Sequence, residues 1–200
     1  MENELLLRYS VCEYLLVLHP HEELFNKVGQ VKKEFADKYD CPSAYWSKPH
    51  ITLARFKQYE MMQQRIISKL NGITKQLSPF KVELKNFGSF PTHTIYINIT
   101  SKVPIVSAVK AIRQSQNLMK LDKDNKPHFI TEPHLTIARK LQPWQFEKAW
   151  LEYEQKPFSG RFMANDILLL KRKDGDKGYT TLHKFEFKNE HAAITQGILF

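Results

Sequence analysis

The heptapeptide Pro49-His50-Ile51-Thr52-Leu53-Ala54-Arg55 returns as Pro133-His134-Leu135-Thr136-Ile137-Ala138-Arg139. The copies agree at Pro, His, Thr, Ala and Arg, and exchange only Ile and Leu at the other two positions. Apolar residues alternating with His and Thr have the period of a β-strand, where residues two apart share a face. In each copy the imidazole and the hydroxyl therefore point the same way. The second histidine follows the first by 84 residues. Each motif strand also sits between two helical segments and is followed by further strands. This order predicts a duplicated chain: one domain over residues 1–200, with pseudo-repeat halves about 1–100 and 101–200.

Periodicity supplies the other elements. The apolar run 11–18 predicts a buried strand. In 21–39, Leu24, Phe25, Val28, Val31 and Phe35 fall at the three-to-four spacing of an amphipathic helix. A loop over 40–48 leads to the first motif strand at 50–56, and a helix is expected over 59–77. Strands follow at 80–87 and 94–100, then a helix at 103–119 with Pro104 in its first turn, where a missing N–H costs nothing. A polar loop at 122–127 precedes the second motif strand at 134–139. Beyond it come a helix at 143–154, strands at 158–164 and 166–172, and a Gly-containing turn into 179–188. Residues 189–200 carry no clear period; within them Ile198-Leu199-Phe200 reads as an extra strand or a frayed end. The fold class expected is α+β: two pseudo-symmetric lobes of antiparallel sheet with flanking helices and a groove between them.

Composition bounds the function. Hydrophobic residues make up 42% of the chain, and the longest apolar runs are far shorter than the roughly 20 residues that span a bilayer. The N-terminus lacks a signal-peptide pattern, so a cytoplasmic protein without a membrane partner is expected. Cys12 and Cys41 match no metal or disulfide spacing and read as reduced thiols. The 30 Lys and Arg against 21 Asp and Glu give +9, which favours a polyanionic partner but equally describes a solvated basic surface. A monomer with no obligate protein partner is expected.

Two histidines near pKa 6.5 can stand in opposite protonation states at neutral pH, one as base and one as acid. That pair suits in-line displacement at phosphorus, because nucleophile and leaving oxygen lie on opposite sides of the phosphorus and one imidazole can serve each. Thr52 and Thr136 add hydroxyls on the imidazole face that can donate to non-bridging phosphate oxygens. Two histidines without a carboxylate cluster make a poor metal site, so no metal and no cofactor are expected. Arg55 and Arg139 have the wrong parity for that face in an undistorted strand, although a bulge at a strand end re-aims side chains. Isolated histidines are commonly satisfied polar groups of a half-buried strand; the repetition is what argues for chemistry.

Two His-x-Thr motifs on strands half a chain apart resemble the 2H phosphoesterase superfamily, within it the 2′-5′ RNA ligase-like (LigT-like) proteins. The resemblance extends to Phe90-Pro91 with Thr94-Ile95-Tyr96-Ile97 and to the closing strand with Tyr179, Leu182 and Phe185. It implies His50 and His134 as catalytic, Thr52 and Thr136 as phosphate-binding, and Arg139 as a further phosphate ligand, with Arg55 left in doubt. It implies metal-independent hydrolysis of 2′,3′-cyclic phosphates on RNA or nucleotides to 2′-phosphates. The alternatives are 2′-5′ ligation or phosphodiester cleavage, and a non-catalytic module binding RNA ends.

Tyr45 and Trp46, just ahead of the first motif, are candidates for base stacking, with core packing as the equal alternative. His93, His128 and His183 occur in no repeated context and are set aside. Lys171-Arg172-Lys173 and Lys177 bracket a hairpin tip, where they meet RNA or keep an edge soluble.

Overall fold

The computed structural model describes residues 10–190. In chain order the elements are β1 (Val11–Leu18), α1 (Glu22–Lys38), α2 (Pro42–Trp46), β2 (Ile51–Tyr59), α3 (Gln63–Thr74), β3 (Phe80–Phe90), β4 (Thr94–Ile99), α4 (Lys102–Ile112), α5 (Gln116–Met119), β5 (His128–Phe129), β6 (His134–Arg139), α6 (Pro143–Tyr153), β7 (Ser159–Ala164), β8 (Asp166–Lys173) and β9 (Thr180–Glu186). The strands form one sheet in the order β7-β3-β4-β6-β2-β1-β8-β9, with β5 paired to β2 off this path. Every pairing is antiparallel.

The two motif strands are neighbours at the middle of this sheet, joined at Ile51 opposite Leu135. Outward from them the halves are built alike. The run β1-α1-β2 places β2 against β1, and the run from β4 through α4 to β6 places β6 against β4. The spatial halves do not divide near residue 100, however. The half containing β2 is completed by β8 and β9 from the end of the described chain, so stretches from both sides of residue 100 interleave.

Ile51, Leu53, Leu135 and Ile137 are fully buried in a core that includes Val28 and Phe35 of α1, Ile66 and Leu70 of α3, Ile105 and Ile112 of α4, and Tyr153 of α6. Each such side chain stabilises the fold by roughly 1.5–3 kcal/mol, so the apolar positions of both motifs anchor their strands and leave the intervening positions for other work. No helix among the described residues is long and apolar enough to cross a membrane.

Several boundaries differ from the periodicity reading. The helix expected over 103–119 gives way to a 3₁₀ turn at Arg113–Ser115, where the Ser115 hydroxyl donates to the Ile112 carbonyl at 2.6 Å and competes with the helical ladder. The helix expected from residue 59 opens as a 3₁₀ turn at Glu60–Met62 and becomes α-helical at Gln63. Strand β2 continues to Tyr59, held by buried Gln58 donating to the carbonyls of Leu118 at 2.9 Å and Lys120 at 3.0 Å. The loop at 40–48 contains α2, with Pro42 in its first turn. Strand β5 was not legible, since two residues carry no period. The apolar end Ile198-Leu199-Phe200 lies outside the described residues.

Candidate active site

Alternation from the Ile51–Leu135 pair sends those two side chains into the core and sends His50, Thr52, His134 and Thr136 to the opposite face, where all four are half-buried. Both imidazoles are held in one way. His50 Nδ1 lies 2.7 Å from the Lys48 carbonyl, and His134 Nδ1 lies 2.8 Å from the Glu132 carbonyl. A carbonyl only accepts, so Nδ1 carries the hydrogen and Nε2 is the working nitrogen on both rings. The motif proline explains the recurrence. Pro49 and Pro133 stand between carbonyl and histidine, fixing φ and restricting the preceding residue to extended backbone.

The strands are not regular, and their irregularity is also duplicated. Val17 pairs with Thr52 and Leu16 with Ala54, which leaves Leu53 as an extra residue on β2. Tyr96 pairs with Thr136 and Ile95 with Ala138, which leaves Ile137 extra on β6. Each motif thus carries a one-residue bulge directly after its threonine. Leu53 with Ala54, and Ile137 with Ala138, accordingly bury two consecutive side chains. Beyond the bulge the parity reverses, so Arg55 (opposite Leu15) and Arg139 (opposite Thr94) return to the face of the histidines. The opposite-face orientation expected for an undistorted strand is corrected by these bulges.

The two arginines have different surroundings. Arg139 is exposed, and its charge reaches both His50 and Lys32. Arg55 instead lies 3.9 Å from Glu13, which also pairs with Arg172. Burial, opposed by the bond to the Lys48 carbonyl and reinforced by the charges of Lys32, Arg139 and His134, holds His50 below the ordinary histidine range. His134 is framed by aromatic rings, with Phe90 edge-on at 5.0 Å, Tyr96 tilted at 5.0 Å, and Phe90 to Tyr96 at 4.7 Å. Tyr96 lies across from Gly88, where a Cβ would stand 2.8 Å from the ring and 2.5 Å from Asn98 Oδ1. A side chain there would force the ring and the Asn98 amide to shift.

Tyr45 and Trp46 sit on α2, 54% and 77% exposed, with their rings 5.7 Å apart. Their exposure removes core packing as the alternative. His93 bonds Thr94 Oγ1 at 2.7 Å, His183 lies 3.4 Å from Asn71 Oδ1, and His128 sits on β5 opposite Arg55. Among the described residues no group of three or more His, Cys, Asp or Glu is placed to hold a metal ion.

One residue at the site went unnoticed in the sequence. Lys32 of α1 is 1% exposed and donates to Ser47 Oγ at 2.9 Å and to the carbonyls of Thr136 and Ile137 at 3.0 Å each. Burial and the Arg139 charge push its pKa down to about 8. A signal was present, since position 32 is one turn after Val28 and three before Phe35, a lysine on the apolar stripe of its helix.

Residues 20–176, a span that includes both heptapeptides, match the family model described as the 2′-5′ RNA ligase superfamily. The chain belongs to the 2′-5′ RNA ligase superfamily. A Bacillus pumilus (strain SAFR-032) protein with a provisional phosphoesterase name is 25% identical over 132 residues, covering 64% of this chain and 71% of that one. A Bacillus licheniformis protein similarly named is 26% identical over 137 residues, covering 64% and 72%. Among solved structures, TT0787 of Thermus thermophilus superposes with a TM-score of 0.64 at 17% identity, over 90% of this chain and 100% of that one. Escherichia coli LigT complexed with 3′-AMP superposes at 0.60 and 15% identity, over 89% and 98%. The superfamily shares the fold described above, mixed helix and antiparallel sheet.

Proposed function

We propose that this superfamily member hydrolyses 2′,3′-cyclic phosphate ends of RNA or nucleotides to 2′-phosphates by acid–base catalysis between His50 and His134, without a metal ion. The observation that carries this reading is the duplication of the whole half-site: two imidazoles each tethered at Nδ1, two threonines, and two bulges on adjacent strands. Desolvation and the charges of Lys32 and Arg139 favour the neutral form of His50, which leaves its Nε2 free to accept a proton and gives it the role of base. Its Nε2 takes a proton from water as the oxygen attacks phosphorus. The bond from phosphorus to the 3′ oxygen breaks, and protonated His134 gives its Nε2 proton to that oxygen. The water oxygen thus ends on phosphorus, its proton on His50, and the ribose 3′ oxygen carries the proton given by His134; the two histidines exchange protonation states before solvent resets them. Thr52, Thr136 and Arg139 meet the charge gathering on the non-bridging oxygens.

LigT structures with 3′-AMP, ATP, NADP+ and phosphate support a nucleotide phosphate as the ligand class. Phe90, Tyr96 and Trp46 offer faces for a base, and a cleft of about 410 Å³ beside β2, lined by Arg55, Lys57, Lys126, His128 and Arg172 together with Glu13 and Asp124, has a basic excess that suits a longer chain. The superfamily's description favours a second reading, 2′-5′ ligation, in which a ribose hydroxyl replaces water. Phosphorus NMR of a cyclic-phosphate-ended oligonucleotide, with and without EDTA, tests the proposal. A 2′-phosphate formed in the presence of chelator supports hydrolysis. Retained binding without turnover across a panel of cyclic phosphates leaves an RNA-end-binding module instead.

A further inference from the structure

An ammonium has three protons to donate, and Lys32 has three acceptors, all neutral. Among the described residues no carboxylate lies within ion-pair distance of it. The charged group acting on it is Arg139 of β6, and Lys32 in turn acts on His50. A buried ammonium with no counter-charge is a costly way to fill a core, since an apolar side chain there would avoid the desolvation. What it provides is connection. Ser47 leads through Lys48, whose carbonyl orients His50. Thr136 and Ile137 are the hydroxyl-bearing residue and the bulge residue that turns Arg139 onto the site face.

Building on the function proposed above, we propose that Lys32 is a positioning residue that locks the two half-sites to each other, fixing the His50 segment against the β6 bulge and keeping a positive charge behind His50. The ammonium stays protonated at neutral pH, so the lock is closed where the chemistry runs. Neither half-site alone contains it: it is supplied by the helix that connects β1 to β2 and bonds to the strand of the other half.

The test compares wild type with K32M, K32R and S47A, following cyclic-nucleotide turnover and, separately, the imidazole titration of His50 by NMR, assigned with H50N. In K32M, kcat is expected to fall about tenfold or more while KM changes little, as for lost alignment. The His50 pKa should rise once the neighbouring charge is gone. K32R should restore the titration, and S47A should lower kcat while leaving the charge effect intact. A core-filling lysine would move thermal stability without moving the His50 titration, and that outcome in folded K32M overturns the proposal. If K32M does not fold, wild-type kcat in S47A overturns it. If wild type turns over no cyclic phosphate, the functional reading fails while the NMR arm still decides the role of Lys32.

Discussion

Leu53 and Ile137 occupy the same place in two equivalent bulges, each the unpaired residue directly after a motif threonine. Their equivalence means that the duplication extends to backbone irregularity, and the site's side chains depend on it. Regular strands would send Arg55 and Arg139 into the core side, at the desolvation cost of a guanidinium.

The two imidazoles are expected to be individually indispensable. His50→Ala and His134→Ala should each lower kcat by roughly 10²–10⁴-fold, the usual effect of a positioned acid or base. Thermal melts should change little, because both side chains are half-buried on the site face. Wild-type turnover in either variant would contradict the pairing.

The arginines should separate. Arg139→Ala is expected to cut kcat/KM by about tenfold or more, with part recovered in Arg139→Lys, whereas Arg55→Ala should matter less, since Glu13 already engages it. Steady-state kinetics on one cyclic nucleotide, measured for all three variants, checks the order.

Burial and nearby cations hold His50 below its ordinary value of 6.5. The unfolded chain therefore takes up this proton at higher pH than the folded chain, so stability rises with pH between the two values. That contribution is complete above about pH 6.5 and is lost as pH falls through the folded value. In activity, the acid limb of kcat/KM should lie on the acid side of 6.5. The pH dependence of the melting temperature in wild type and His50→Asn checks the first expectation: the variant should show a flatter acid decline.

Gly88→Ala places a methyl against Tyr96 and Asn98. Displacing them should cost about 1–3 kcal/mol of stability and disturb the aromatic frame around His134. A melt together with kcat/KM would reveal both effects; unchanged values in each would show that the pocket has slack.

Trp46, exposed on α2, should behave in the opposite manner. Trp46→Ala is expected to leave the melting temperature alone and to weaken nucleotide binding by about 1–3 kcal/mol, the range of a base stacked on an aromatic ring. Titration with 3′-AMP, read by intrinsic fluorescence of wild type against calorimetry of the variant, measures it.

The local sequence determined that residues 50–55 and 134–139 are strands, that Ile51, Leu53, Leu135 and Ile137 face a core, and that each histidine shares a face with its threonine. Those properties depend on a period of two and on burial of apolar surface, both written in a few neighbouring residues. Only the tertiary structure decided that the motif strands lie side by side, that bulges bring Arg55 and Arg139 round to the site, and that Arg139 acts on His50 while Arg55 answers to Glu13. It also decided that β8 and β9 complete the first half from the far side of residue 100. The buried ammonium of Lys32 belongs to the same group. Its three acceptors come from residues 15, 104 and 105 positions away, and contacts made across such distances are set by how the sheet closes, which no local pattern encodes.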